Sequence, residues 1–151
     1  MAAAIIVRKA LLQDVGALIH LLKLLFEIET DFLLDEQKQR AGLEMLLLDQ
    51  NRCCLMVAEV QREVIGMCSV QLLVSTAEGG LKAMVEDLVV TPSYRGQKIG
   101  RRLLAAVEEW ALNQGAKRMD LLADGRNTPA LSFYKKLNWR RTELVGLQKK
   151  V

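Results

Sequence analysis

An α+β domain built on one mixed sheet is the fold class the sequence predicts, and three observations carry it. Short apolar runs rich in β-branched residues alternate with stripes of helical period, in the order β-α-α-β-β-β-α-β-α-β. Turn-forming residues, among them Gln61-Arg62-Glu63, Gly79-Gly80 and Gly115, separate these runs. The 151 residues are 51% apolar and 26% charged, enough chain for one globular core, so residues 1–151 are expected to form a single domain.

The elements follow in order. Ile5 to Ala10 reads as a first strand. From Asp14 to Glu29, Leu18, Leu21, Leu22, Leu25 and Ile28 make a helical stripe, with Asp14 as its expected N-cap and His20 off the stripe on the surface. A second helix is expected from Asp35 to Leu48. Cys53 to Val60 and Val64 to Val74 are strands joined by Gln61-Arg62-Glu63 as a hairpin. After the Ser75 to Leu81 loop, Ala83 to Val90 is a further strand. A long helix from Gly100 to Gln114 is stopped by Gly115. Arg118 to Ala123 is a strand and Pro129 to Leu137 a helix, with Thr128 as its cap; Arg140 to Leu147 reads as a final strand.

Composition excludes several functions. The longest apolar stretches, around Leu18 to Phe26 and Met45 to Leu48, carry His20, Lys23 and Glu44 in or beside them and fall well short of the roughly 18–20 residues a membrane span needs. The first residues lack a basic n-region, so no signal peptide is expected. Cys53, Cys54 and Cys68 sit in apolar runs and read as buried free thiols of a reducing, cytoplasmic compartment. No Cys/His spacing resembles a metal site, and His20 is the only histidine. Charge is unevenly spread. Residues 1–90 hold 8 Lys/Arg against 13 Asp/Glu, and residues 91–151 hold 13 against 5. That asymmetry suits a polyanionic ligand beside a cationic one. Nucleic acid is not expected, because the basic residues are not interleaved with aromatics, which are 5% of the chain.

Two stretches carry chemistry. In the first, the strand ending Val85-Glu86-Asp87-Leu88-Val89-Val90 runs through Thr91-Pro92-Ser93-Tyr94-Arg95-Gly96-Gln97-Lys98-Ile99-Gly100 into a helix that opens with Arg101-Arg102. A strand–loop–helix start leaves N–H groups free before the positive end of the helix dipole, where a phosphate fits. Gly96 and Gly100 permit close approach of backbone to a ligand, and Arg95, Lys98, Arg101 and Arg102 add charge. The second stretch, Asn127 to Trp139, is an amphipathic helix with Ala130, Phe133 and Leu137 as its apolar stripe and Tyr134 beside it. Asn138, a residue type that tolerates the left-handed conformation, ends it.

Together these stretches closely resemble the GNAT superfamily of acetyl-CoA-dependent N-acetyltransferases, and among them the spermidine/spermine (diamine) type. Arg95-Gly96-Gln97-Lys98-Ile99-Gly100 is similar to the superfamily's pyrophosphate loop, and Asn127 to Trp139 to its Asn-x-x-Ala-x-x-Phe-Tyr-x-Lys-x-Gly-Phe helix. Glu86-Asp87-Leu88-Val89-Val90 and Phe133-Tyr134-Lys135-Lys136 resemble the diamine enzymes in particular. Lys98 stands where the family has glycine, and Asn138 replaces the glycine before an aromatic.

The resemblance implies a mostly antiparallel mixed sheet flanked by about four helices, with acetyl-CoA as acetyl donor and no metal. It implies that backbone of Leu88, Val89 and Val90 holds the pantetheine and thioester. Residues 95–101, Arg95, Gly96, Gln97, Lys98, Ile99, Gly100 and Arg101, would hold the pyrophosphate, and Asn127 would also contact the cofactor. Glu86 is the implied base and Tyr134 the implied acid, for direct attack of an amine without a covalent enzyme intermediate. Strand alternation sets Glu86 and Asp87 on opposite faces, so at most one of them should face the amine unless a bulge intervenes. The acidic junction Glu27, Glu29, Asp31, Asp35 and Glu36 falls in the region that walls the acceptor site, which marks Glu27 and Asp31 as binders of a small cationic amine. A protein or peptide N-acetyltransferase and a non-catalytic acyl-CoA-binding regulator remain open alternatives. Superfamily members are often homodimers, but no residue pattern here fixes an interface.

Overall fold

The computed structural model describes residues 3–151, and the chain divides into two compact units, Met1–Asp120 and Leu121–Val151. In the first unit, β1 (Ile5–Lys9) is followed by a 3-10 turn and two helices, α1 (Val15–Ile28) and α2 (Glu36–Leu48). Three strands come next, β2 (Cys53–Val60), β3 (Glu63–Ser75) and β4 (Gly80–Val90), then α3 (Ile99–Asn113) and β5 (Ala116–Leu121). The sheet order is β1-β2-β3-β4-β5. The first three pairings are antiparallel. β5 joins β4 after the α3 crossover, the kind of connection parallel neighbours require, so the sheet is mixed.

Local chemistry explains the joints. The β2–β3 hairpin closes through Gln61 and Arg62 alone, both left-handed at φ 49° and 66°, with Val60 pairing with Glu63. That is a type I′ turn, whose twist matches that of its strands. Asp35 caps α2, accepting from the N–H groups of Gln37 at 3.1 Å and Lys38 at 3.3 Å. Gly115, at φ 91°, stops α3.

The sheet buries both faces. Leu18, Leu21, Leu22 and Leu25 of α1 pack with Leu43 of α2 and with Leu55, Val57, Met67 and Val89 of the strands. Each such side chain removed from water contributes about 1.5–3 kcal/mol. The other face is covered by α3, through Leu103, Leu104, Val107 and Trp110. Close approach there requires Gly66, since a Cβ at that position would meet Leu103 Cδ1 at 3.0 Å and Val89 O at 3.2 Å. Cys54 and Cys68 are buried and Cys53 is half-buried, all as free thiols. His20 is exposed. No described helix is long and apolar enough to cross a membrane.

The second unit contains α4 (Thr128–Lys136). Here the structure corrects the sequence reading three times. The N-cap is Asn127, whose Oδ1 accepts from Ala130 N–H at 3.2 Å, and Thr128 is already helical. The Ala130, Phe133 and Leu137 stripe is half-buried rather than buried. Residues 140–147 form no strand, and Leu144 and Leu147 stay 87% and 93% exposed. A short apolar run makes a strand only where a neighbour completes its backbone ladder. Asn138 ends the helix at φ 68°, the left-handed conformation its amide tolerates.

A fourth correction concerns Asp14. It stands at the N-cap position of α1 but makes no side-chain cap. Its carboxylate instead receives Arg8 Nη1 at 2.9 Å, Arg8 Nη2 at 3.0 Å and the Leu11 N–H at 2.7 Å.

Candidate active site

The loop between β4 and α3 is rich in left-handed residues and free backbone donors. Gly96 and Lys98 are both left-handed, at φ 79° and 63°, so Lys98 holds the conformation glycine would adopt at that position. None of the N–H groups of residues 96–101 donates to an acceptor among the described residues, and the first capped bond of α3 is Arg102 N–H to Lys98 O at 3.1 Å. Six unsatisfied donors thus precede and open a helix of 15 residues, with its positive dipole end behind them. Ile99 anchors the loop from below with 2% exposure. Arg95 Nε donates to Val90 O at 3.1 Å and ties the loop to the end of β4. Lys98 and Arg101 are exposed. Ile99 and Val89 have their side chains in the core, so only their backbone is available to a ligand.

The end of β4 carries a bulge. Met67 pairs with Val89 but Ser69 pairs with Glu86, so β4 advances three residues where β3 advances two. Asp87, at φ 55°, is the left-handed residue that absorbs the extra one. Cross-strand partners share a face. Glu86 and Val89 therefore lie on the side of Ser69 and Met67, the face that α1 covers. Buried Ser69 fixes the residue before the bulge, its hydroxyl donating to Glu86 O at 3.1 Å.

The two carboxylates of the bulge differ. Glu86 is exposed, whereas Asp87 is half-buried. Burial pushes the Asp87 carboxyl up to about 6, helped by the neighbouring charges of Glu86 and of Glu29 at the end of α1. A carboxyl raised toward neutrality by burial and a like-charged partner is a common signature of a functional site. Glu27, on the last turn of α1, and Asp31, in the α1–α2 connection, are exposed. Of the acidic junction it is Glu29, and not these two, whose charge reaches Asp87. Sequence reading weighs Asp87 against Glu86 and places Glu29 in the acidic junction, but singles out neither. The signal for Asp87 was present in part, since aspartate is among the few residue types at ease with positive φ.

The ion pairs joining β5 to its neighbours lie at the beginning of β4, Lys82 to Asp120 at 3.1 Å and Glu78 to Arg118 at 3.1 Å. Residues 88–90 carry none. In the second unit, Tyr134 is half-buried on α4, edge-on to Phe133 at 5.2 Å and to Trp139 at 6.0 Å between ring centroids. Asn127 has its carbonyl oxygen committed to the cap, leaving its amide NH₂ to donate.

A bulged strand thus leads through a run of unpartnered N–H groups into the positive end of a helix. Residues 18–139 match the acetyltransferase (GNAT) family, and the chain belongs to it: a family of acetyl-CoA-dependent acyltransferases. The aminoalkylphosphonate N-acetyltransferase of Salmonella typhimurium is 34% identical over 109 residues, 72% of this chain and 70% of that protein. The thialysine N-epsilon-acetyltransferase of Mus musculus is 40% identical over 56 residues, 37% of this chain and 33% of that protein. An aminoglycoside N-acetyltransferase solved with CoA superposes with TM-score 0.85 at 20% identity, covering 99% of this chain and 97% of the other. A transcriptional regulator from Bacillus halodurans superposes with TM-score 0.84 at 24% identity, covering 98% and 100%. At these identities the two structures speak for the fold alone.

Proposed function

We propose that the chain transfers the acetyl group of acetyl-CoA to the primary amine of a small cationic molecule. The observation that carries this reading is the run of six unpartnered N–H groups opening α3, immediately after a β4 end that presents two carboxylates. Donors without internal partners, at a positive helix end with Arg95, Lys98 and Arg101 around them, fit a pyrophosphate. Residues 95–101 would hold it, the backbone of Leu88, Val89 and Val90 would hold the pantetheine arm, and the Asn127 amide would add a donor. When bound, acetyl-CoA supplies an acetyl group activated as a thioester.

The protein's own tasks are then to bind the amine, take its proton and return one to the departing sulfur. A free alkyl amine has a pKa of about 10.4 and arrives mostly protonated. Glu86, directly or through a water, accepts the proton, with Asp87 as the second carboxyl beside it. Glu27, Asp31 and Glu29 draw in the cationic body of the acceptor. Tyr134 donates to the leaving thiolate. The Salmonella relative is named for aminoalkylphosphonates and the mouse relative for thialysine, both small molecules with a primary amine, which supports a small acceptor.

A thiol-release assay with acetyl-CoA over a panel of diamines, amino acids and aminophosphonates tests the reading. Turnover on at least one small amine is expected; saturable acetyl-CoA binding with no turnover on any would overturn it. Tyr134→Phe should fold normally, bind acetyl-CoA with similar affinity and lose roughly 10²- to 10⁴-fold in turnover, the span of general acid catalysis. Near-normal turnover by that variant removes the acid role and leaves a packing tyrosine.

A further inference from the structure

On the sheet face opposite α3, a groove of about 300 Å³ runs between α1 and α2. Ile19 and Leu34 give it apolar surface, Gly16, His20 and Lys23 form the α1 wall, and Glu36 and Arg40 face them from α2. The three helical wall residues recur at four- and three-residue spacing, so they share one strip of α1. The volume sits at the low end of those that hold small ligands.

Its charge is unusual for this half of the chain. Residues 1–90 are acidic overall, yet this groove gathers Lys23, Arg40 and the only histidine, against the single carboxylate of Glu36. None of His20, Lys23 or Arg40 has a hydrogen bond or ion pair among the described residues, although Glu36 lines the same groove. A guanidinium and an ammonium left unpaired across a concave surface complement an oxyanion, with the guanidinium able to grip it by two parallel hydrogen bonds. Glu36 would accept from a hydroxyl or amine on the same molecule.

We infer that this groove is a second ligand site, for a small organic oxyanion such as a phosphate, phosphonate or carboxylate. It is distinct from the cradle at the start of α3, which lies with its helix against the other face of the sheet. The two helices that form the groove continue into the α1–α2 connection, so occupancy would brace the segment that carries Glu29 and Asp31.

Gly16 offers a clean way to close the groove. A Cβ there meets nothing within 4 Å, and leucine is the better helix former by about 0.8 kcal/mol. Gly16→Leu therefore fills the groove without straining the helix. Backbone amide shifts of the full chain should be followed by NMR during titration with inorganic phosphate, then with methylphosphonate, at low ionic strength. Saturable shifts are expected at residues 16–23 and 34–40. Lys23→Ala and Arg40→Ala should each weaken binding about tenfold, Glu36→Gln should tighten it several-fold, and Gly16→Leu should abolish it with Tm unchanged or raised. Acetylation of a simple diamine by Gly16→Leu should match wild type. Shifts confined to residues 96–101, no saturable shifts, or binding indifferent to all four substitutions would each overturn the inference.

Discussion

Asp14 and Asp87 are aspartates of the same compact unit, both drawn partly out of water, and their carboxyls move in opposite directions. Asp14 is only 7% exposed, yet the Arg8 guanidinium and the Leu11 N–H hold it below the usual carboxylate range. Asp87 is pushed up to about 6, first by burial and then by two neighbouring carboxylates, Glu86 and Glu29. Burial alone therefore does not set the direction. Partners do. Asp14 ties β1 to the start of α1 and is part of the frame; Asp87 is held charged at a cost, on a left-handed bulge residue, where chemistry would use it.

The largest effect that would sharpen this contrast is on activity. If Glu86 and Asp87 work as a pair, kcat/KM should fall on the acid side with an apparent pKa of about 6. Asp87→Asn should remove that limb, and Glu86→Gln should move it to lower pH by deleting a neighbouring charge. Both variants should lose on the order of 10²-fold or more in turnover. A limb near pH 6 that persists unchanged in Asp87→Asn breaks the comparison. The same group has a stability signature. Its folded pKa is raised, so its contribution is complete below pH 4 and is lost as pH rises through 6, on the order of 2–3 kcal/mol. Urea melts of Asp87→Asn should lack that decline.

Asp14 predicts the reverse. Its folded pKa is lowered, so its stabilisation is present above pH 4 and is lost as pH falls through the depressed value. Asp14→Asn should destabilise by about 2 kcal/mol, a Tm drop of roughly 4–8 °C, because Arg8 keeps only Glu59 as a carboxylate partner. Turnover per folded molecule should stay within about twofold, as measured by active-site-normalised kinetics. A tenfold loss of turnover would give Asp14 a catalytic part and erase the distinction.

The smallest effect concerns the other left-handed residue of the site. Lys98 carries a conformational penalty of about 1–2 kcal/mol that glycine would relieve, offset by the greater freedom of glycine in the unfolded chain. Lys98→Gly should change stability by less than about 1 kcal/mol and the KM for acetyl-CoA by only a few-fold. A loss beyond tenfold, about 1.4 kcal/mol, would mean that the ammonium itself meets phosphate. Gly100→Asp, in contrast, should raise that KM by well over tenfold, and no effect would remove the cradle assignment.

The parts of this molecule legible in the sequence are those whose cause is local. Gly96, Gly115 and Asn138 announce loop and helix ends because their conformational tolerance belongs to the residue itself. The stripes of α1 and α3 announce their buried faces for the same reason. The bulge at Asp87 is different. It is a mismatch of register between two strands, and no single strand contains that information. The charge of Glu29 reaches Asp87 only because α1 packs across β4, far along the chain. The failed strand at residues 140–147 shows the limit from the other side, since a short apolar run read as a strand has no described neighbour to complete it.

The two-residue turn at Gln61-Arg62 also sets an order of events in time. It closes β2 onto β3 with almost no loop to immobilise, and residues 76–79 do the same for β3 and β4. β1 must wait for α1 and α2 to be gathered in, because Ile5 pairs with Val60 across both helices. Loop-closure entropy therefore favours the β2–β3–β4 meander as the folding nucleus, with β1 docking late. Chevron analysis of Val70→Ala and Val7→Ala would show it as a high φ-value in β3 and a low one in β1, and equal values would remove the sequence of steps. A strand that arrives last also leaves first, so transient opening of β1 is the expected route by which hydrogen exchange begins in this sheet.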